Sequence, residues 1–429
     1  MNPVLPRRIF EQNRIKLSKK LKENSVAIFH SNDEMPRNGD QFFPFRQHSD
    51  MFYLTGINQE KTIFVATPNH PIPKNREILF IIKPSDHLET WYGKKLTKLQ
   101  ATEISGIQTI LWLEEFNQIL ADHIYHSENI YVNQYENPKF TSEVESCDQR
   151  FTHEIKNRFP AHRFERLAPI MTNLRLIKEH DEINILRHAC DITSKAFQRV
   201  LQMVKPGIHE FEVEAEISYE FRKSGAQGHA YYPIIASGEN ACILHYIDNR
   251  SVCRNGDLLL MDFGAEFANY AADCSRTIPV NGKFTPRQKQ LYNATLSVFN
   301  KTKTLMVKGT TIALLNKQVG KLWEEEHVNL GLYSLEDLKN HDSETPLYAK
   351  YFMHGISHFL GLDVHDLGTR LQTLEPGMVL TLEPGIYIRE EGIGIRLEND
   401  ILITNDNPID LMKDVPIEIE EIEDLMKTK

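Results

Sequence analysis

The feature that most constrains this chain is a pair of aspartates set in two consecutive apolar runs, LLLMDFGAEFANYAADCSRTIPV over 258–280. Asp262 closes the first run and Asp273 sits in the second. A charge so placed is costly unless something compensates it. Folding the runs back as a hairpin with its tip at Glu266–Asn269 puts positions 262 and 273 opposite each other, since both are equally far from the centre between Phe267 and Ala268. Directly opposed side chains have Cβ atoms roughly 4.5–5.5 Å apart. Two carboxylates that close repel unless a cation or a proton lies between them.

A second pair repeats the construction. Glu383 and Glu398 stand in MVLTLEPGIYIREEGIGIRLENDILIT, equidistant from a turn at Glu390-Glu391. Pro384-Gly385 is a place for a bulge, so this register is less constrained than the first. Any one acidic residue at a strand end is more often a turn or ion-pair residue than a ligand. Two hairpins with opposed carboxylates argue for divalent metal, because hard and borderline ions take oxygen and imidazole donors.

Imidazoles follow in HGISHFLGLDVHD, which carries His354, His358 and His365 interrupted by Gly355 and Gly361. A helix face, a loop and a strand edge all accommodate them. His245, in NACILHYIDN, reads on its own as structural. One imidazole with four carboxylates suffices for two divalent ions. Such ions lie about 3.5–4 Å apart, lower the pKa of a bridging water and polarise the carbonyl it attacks. The remaining histidines then serve as hydrogen-bond donors or acids.

A chain of 429 residues predicts two domains. Residues 1–172 read as α/β, with buried strands at Ser25–His30, Ile63–Thr67 and Ile78–Lys83 and punctuation such as PNHPIPKN between them. Helices are expected over Leu96–Ile104 and after Thr152. Residues 173–429 read as α+β. Ile183, Leu186, Cys190, Thr193, Phe197, Val200 and Val204 mark one face of a long helix, ended by Lys205-Pro206-Gly207. A second helix covers Glu210–Ser224, and a third begins at Pro286 behind a Thr285 cap. The β-rich stretches are Tyr231–Ser237, Leu258–Phe267, Tyr270–Val280 and Met378–Ile403, without βαβ alternation. The acidic tail EIEEIEDLMKTK reads as a solvated segment or helix.

Composition narrows the class. Five cysteines without a C-x-x-C pair disfavour a disulfide framework or thiolate zinc site and fit a reduced, cytoplasmic setting. A net charge of −10 weighs against a nucleic-acid partner. MNPVLPRRIF lacks the apolar segment of a secretory leader, and no apolar run is long enough to predict a membrane span.

The ordered set Asp262, Asp273, His358, Glu383 and Glu398, with its flanks, resembles the metal ligands of the pita-bread metallopeptidases. Within them HGISHFLGLDVHD and the N-terminal stretch FPFRQHSDMFYLTGI resemble the aminopeptidase P (Xaa-Pro aminopeptidase) branch. The resemblance implies a pita-bread catalytic domain behind a smaller creatinase-type α/β domain that restricts substrates and contributes oligomer contacts. It implies two divalent ions, most commonly Mn2+, and release of the N-terminal residue from peptides with proline second. Asp262 and Asp273 would hold one ion, Asp273 and Glu398 would bridge, and His358 and Glu383 would complete the other. Glu383 would also shuttle a proton. His245 and His365 would bind substrate and stabilise the oxyanion, and His354, Tyr387 and Arg396 would line the proline pocket. A cytoplasmic homo-oligomer, dimer or tetramer, is expected. The alternatives are a prolidase confined to Xaa-Pro dipeptides and, more remotely, a non-catalytic peptide-binding protein of the same fold.

Overall fold

The computed structural model describes residues 5–136, 142–341 and 344–427. The chain divides into two compact units between Arg175 and Leu176, against the 172/173 boundary expected above.

The N-terminal unit is built on a six-stranded mixed sheet. From one edge its strands are Thr109–Trp112, Glu77–Ile81, Ile63–Ala66, Ser25–His30, Asn129–Val132 and Arg163–Arg166. The central three are antiparallel neighbours and the outer pairings are parallel. Val26, Ile28, Val65, Phe80 and Ile130 form its core with Phe116, Leu120 and Ile124 of the Phe116–Tyr125 helix. A helix at Lys98–Ser105 occupies the first region expected to be helical, while the one expected after Thr152 begins earlier and runs Cys147–Arg158; each is opened by a capping box, at Thr97/Gln100 and Ser146/Gln149.

In the C-terminal unit the long helix runs His180–Met203 and buries Leu186, Cys190, Thr193, Phe197 and Val200. It packs with the Glu210–Lys223 and Pro286–Leu305 helices against short antiparallel strands, in one apolar core. Thr285 caps the Gln288 amide with Pro286 at the first helical position. Of the two readings of the acidic tail, the helix is the one found, with one face buried. Ile419–Lys427 is an amphipathic helix that sinks Ile419, Ile422 and Met426 into that core, while most of its acidic residues stay outside. All five cysteines are unbridged. Among the described residues no helix is long and apolar enough to cross a membrane.

The strands that carry the acidic residues form two hairpins. In the first, Leu258–Asp262 pairs with Ser275–Pro279, and the ladder continues through Ala265–Phe267 and Tyr270–Ala271. In the second, Val379–Leu382 pairs with Asn399–Leu402, and Gly385–Ile388 with Ile393–Arg396.

Candidate dinuclear metal centre

The first hairpin turns one residue later than its sequence symmetry suggests. Phe267 faces Tyr270, so the loop is Ala268-Asn269, both with positive φ (51° and 65°). Two such residues in succession make the turn that matches the twist of paired strands. Asp262 therefore faces Ser275 rather than Asp273. Moving the centre by one residue shifts the pairing by two, and side chains alternate with period two, so both aspartates still project from the same face as diagonal neighbours. Gly264 makes this possible: a Cβ there would lie 1.7 Å from the Ala272 carbonyl oxygen. In the second hairpin the expected register is the one found. Leu382 faces Asn399 and Gly385 faces Arg396 with no bulge at Pro384-Gly385, which sets Glu383 across from Glu398.

The four carboxylates and one imidazole converge. Donor atoms of Asp273, His358 and Glu398 all lie within 4.8 Å of one another. His358 Nε2 is 3.4 Å from Asp273 Oδ2 and 3.6 Å from Glu383 Oε1. Asp262 joins through the Tyr231 hydroxyl, which is 2.6 Å from an oxygen of each aspartate. A phenol has one proton to donate, so the second of these short contacts needs a proton or a cation on the carboxylates. Arg396 donates to Asp262 (2.6 Å), Ser275 Oγ (2.8 Å) and Tyr387 Oη (2.9 Å). Ser275 in turn donates to Glu398 at 2.6 Å, and Thr381 donates to Glu383 at 3.2 Å while accepting from the His358 amide. Two walls hold these strands in place. Asp400 is fully buried and accepts from the Asp273 amide and from Cys190. The buried Arg276 guanidinium donates to the carbonyls of Ser275, Glu398, Val415 and Pro416.

The electrostatics show what the cluster lacks. Burial, followed by the charges of Asp273, Glu383 and Asp262, holds the Glu398 carboxyl well above the usual range. Burial raises Asp262, with Asp273 adding to it, although Arg396 opposes the rise. Glu383 is pushed up to about 7, by burial first and by Asp273 against the pull of His358. Burial draws His358 down, but its hydrogen bond to Asp273 and the Glu383 charge outweigh this and carry it up to about 9. Five carboxylates, counting Asp400, thus share one guanidinium and one imidazole. The donor set fits divalent cations, which would supply the missing positive charge.

Around this centre, His365 is exposed and its ring lies 4.2 Å from that of His358. His245 is exposed in the loop after Gly238–Cys242, close enough for its charge to depress His354. His354 is lowered to about 3, by burial and then by Arg396. It is neutral, with Nδ1 2.9 Å from the Gly355 carbonyl and Nε2 2.8 Å from the Tyr387 hydroxyl, itself the acceptor from Arg396. Tyr387 and Arg396 lie behind the surface, and His354 is the partly exposed member of that chain. Sequence reasoning missed Tyr231, Ser275 and Asp400. Only Asp400 carried a signal, standing two residues after Glu398 in an apolar strand and so on the same face.

The model of "Metallopeptidase family M24" matches residues 184–405, which span both hairpins, Tyr231 and the histidines around the centre, and "Aminopeptidase P, N-terminal domain" matches residues 10–131. The chain belongs to metallopeptidase family M24. This M24 chain is 36% identical to the Xaa-Pro aminopeptidase of Escherichia coli (strain K12), covering 98% of each. It is similar in structure to a putative aminopeptidase P from Bacillus anthracis, with a TM-score of 0.91, 35% identity and 98% of each chain covered. It also matches aminopeptidase P from E. coli with the inhibitor Pro-Leu, with a TM-score of 0.89, 33% identity and coverage of 99% of this chain and 98% of that one. The M24 fold thus has the pita-bread catalytic architecture, preceded by an α/β domain of the aminopeptidase P type.

Proposed function

We propose that this chain is a dinuclear Xaa-Pro aminopeptidase, hydrolysing the first peptide bond of substrates with proline in second place. The observation that carries the reading is the convergence of Asp262, Asp273, His358, Glu383 and Glu398 with too little positive charge among them, in a chain aligned end to end with an Xaa-Pro aminopeptidase. Asp262 and Asp273 would hold one ion, His358 and Glu383 would complete the site of the other, and Asp273 and Glu398 would serve both. When bound, the two ions supply Lewis acidity and a water ionised near neutral pH. Mn2+ is the proposed ion, in keeping with carboxylate-rich ligation.

Glu383, among the converging carboxylates and accepting from Thr381, is placed to act as a proton carrier: it would accept a proton from the attacking water and deliver it to the departing prolyl nitrogen. His245 and His365, both exposed at the centre's edge, orient the peptide and stabilise the oxyanion, an effect of about 3–4 kcal/mol per well-placed donor. Neutral His354 meets the proline side, with Tyr387 and Arg396 fixing its tautomer from behind. The N-terminal unit limits substrate access and contributes to a homo-oligomer, and the protein works in the cytoplasm.

The test is an assay with manganese of an Xaa-Pro-Xaa tripeptide beside an Xaa-Pro dipeptide. Release of the first residue from the tripeptide is expected. Activity confined to the dipeptide would replace this reading with a prolidase.

A further inference from the structure

The N-terminal unit holds a second group of metal-ligating side chains, which the proposed reaction does not use. His70 stands in the turn after the Ile63–Ala66 strand, its amide donating to the Thr67 carbonyl. Asp122 and His126 lie at the C-terminal end of the Phe116–Tyr125 helix, four residues apart and so on one face. His70 Nε2 is 3.4 Å from Asp122 Oδ2, and His126 Nε2 is 3.9 Å from Asp122 Oδ1. Donor atoms of all three lie within 4.8 Å of one another. A third imidazole, His123, packs 4.7 Å from the His70 ring with Nδ1 2.7 Å from Thr67 Oγ1. Its buried Nε2 has no hydrogen-bond partner among the described residues.

Several features favour a cation here. The end of a helix that leaves carbonyls unpaired carries partial negative charge. A plain Asp–His hydrogen bond would need one imidazole, whereas here two ring nitrogens face the two oxygens of one carboxylate. His70 is buried, which fixes its ring, while Asp122 and His126 are exposed and free to close. His70 Nδ1 lies 3.1 Å from the Ile72 amide and 3.3 Å from the Ile72 carbonyl oxygen. Either tautomer is therefore supported, including the one that donates from Nδ1 to a carbonyl and leaves Nε2 free to ligate, the backing that metal-bound imidazoles commonly have.

We propose that His70, Asp122 and His126 form a binding site for a borderline divalent transition ion, with zinc the best match to two imidazoles and one carboxylate. Metal–ligand distances of about 2.0–2.2 Å put tetrahedral donors about 3.3–3.5 Å apart. The His70–Asp122 pair has that spacing already, and rotation of the two exposed side chains supplies the rest. Water takes the fourth position. The ion clips the turn holding His70 to the end of the helix.

The full-length chain, stripped by a chelator and dialysed against micromolar zinc sulfate, tests this by elemental analysis. Wild type is expected to retain about one equivalent of zinc more than His126→Ala and Asp122→Asn, two surface changes whose folding is checked by circular dichroism. Equal zinc in all three proteins overturns the proposal. Crystals soaked in zinc and measured at the zinc absorption edge give a second readout. A peak between His70 Nε2 and His126 Nε2 is expected, and its absence while the carboxylate centre shows peaks also overturns the site. Because the comparison is between wild type and N-terminal variants, it is independent of whether the carboxylate centre works as proposed.

Discussion

The two acidic hairpins of the catalytic unit are built alike and solve the same problem differently. In the glutamate hairpin, Glu383 and Glu398 stand across from each other in an unshifted register, at a break between two paired stretches where their amides bond outside the hairpin, to the Ile356 and Ser275 carbonyls. In the aspartate hairpin, Asp262 and Asp273 are diagonal neighbours around a backbone approach that only Gly264 permits. The glutamate hairpin also lends its neighbour a charge, since Arg396 on its returning strand is the guanidinium that faces Asp262. The difference teaches that what both hairpins preserve is the face from which the carboxylates project, whereas the pairing partner is free to vary.

Breaking the loan should have the largest effect. Arg396→Met leaves Asp262 buried without its cation, and removing one partner of a buried pair typically costs about 3–5 kcal/mol. Urea unfolding of chelator-treated protein should show this loss, with added divalent metal recovering more stability in the variant than in wild type.

Glu383→Gln probes the other hairpin. Turnover of the tripeptide should fall on the order of 10²–10³-fold, the scale of losing a positioned polar group in a catalytic centre. The same variant tests pH. Glu383 has its folded pKa raised from 4.5 to about 7, so in metal-free protein the folded state keeps a proton that the unfolded chain has lost. Its contribution is complete below about 4.5 and is lost as pH rises through about 7. His358, raised from 6.5 to about 9, acts in the same direction at higher pH. The Tm of metal-free wild type should therefore decline across this range, and Glu383→Gln should flatten the lower part of the decline.

Glycine replacements separate the two backbones. Gly264→Ala sets a methyl against the Ala272 carbonyl and should cost about 3 kcal/mol. Gly385→Ala meets the Tyr387 hydroxyl at 2.6 Å, on a buried side chain that can shift only against its bonds to Arg396 and His354, and should cost about 2 kcal/mol. Equal costs in thermal melts would show that the close approach at Gly264 is not what distinguishes the hairpins. The smallest effect is expected of Tyr231→Phe. Losing the hydroxyl between the aspartates should change stability by about 1 kcal/mol and weaken metal affinity by roughly 10–100-fold, as removal of a ligand-orienting partner does.

The same contrast explains how much was legible beforehand. The glutamate register follows from symmetry about Glu390-Glu391 because no residue is inserted on either strand. The aspartate register does not, because Ala268-Asn269 adopts a double positive-φ turn without the glycine that usually announces one. The long helix was readable from its apolar period, and its capped neighbour from Thr285-Pro286. The tail's partnership with the core was hidden by its acidic composition, although Ile419, Ile422 and Met426 recur at helical spacing. Tyr231 and Ser275 gave no warning, since a neutral hydroxyl acquires its importance from neighbours brought together by the fold.

Arg276 has a consequence for the order of assembly. Its guanidinium is anchored by carbonyls at 415 and 416 as well as by its immediate surroundings. During synthesis the aspartate strands emerge well before those acceptors exist, and contacts of such sequence separation form slowly. A nascent chain thus carries Asp262 and Asp273 for more than a hundred residues before the lock on their strands can close, so this part of the site takes its final setting only once the chain has been made past position 416.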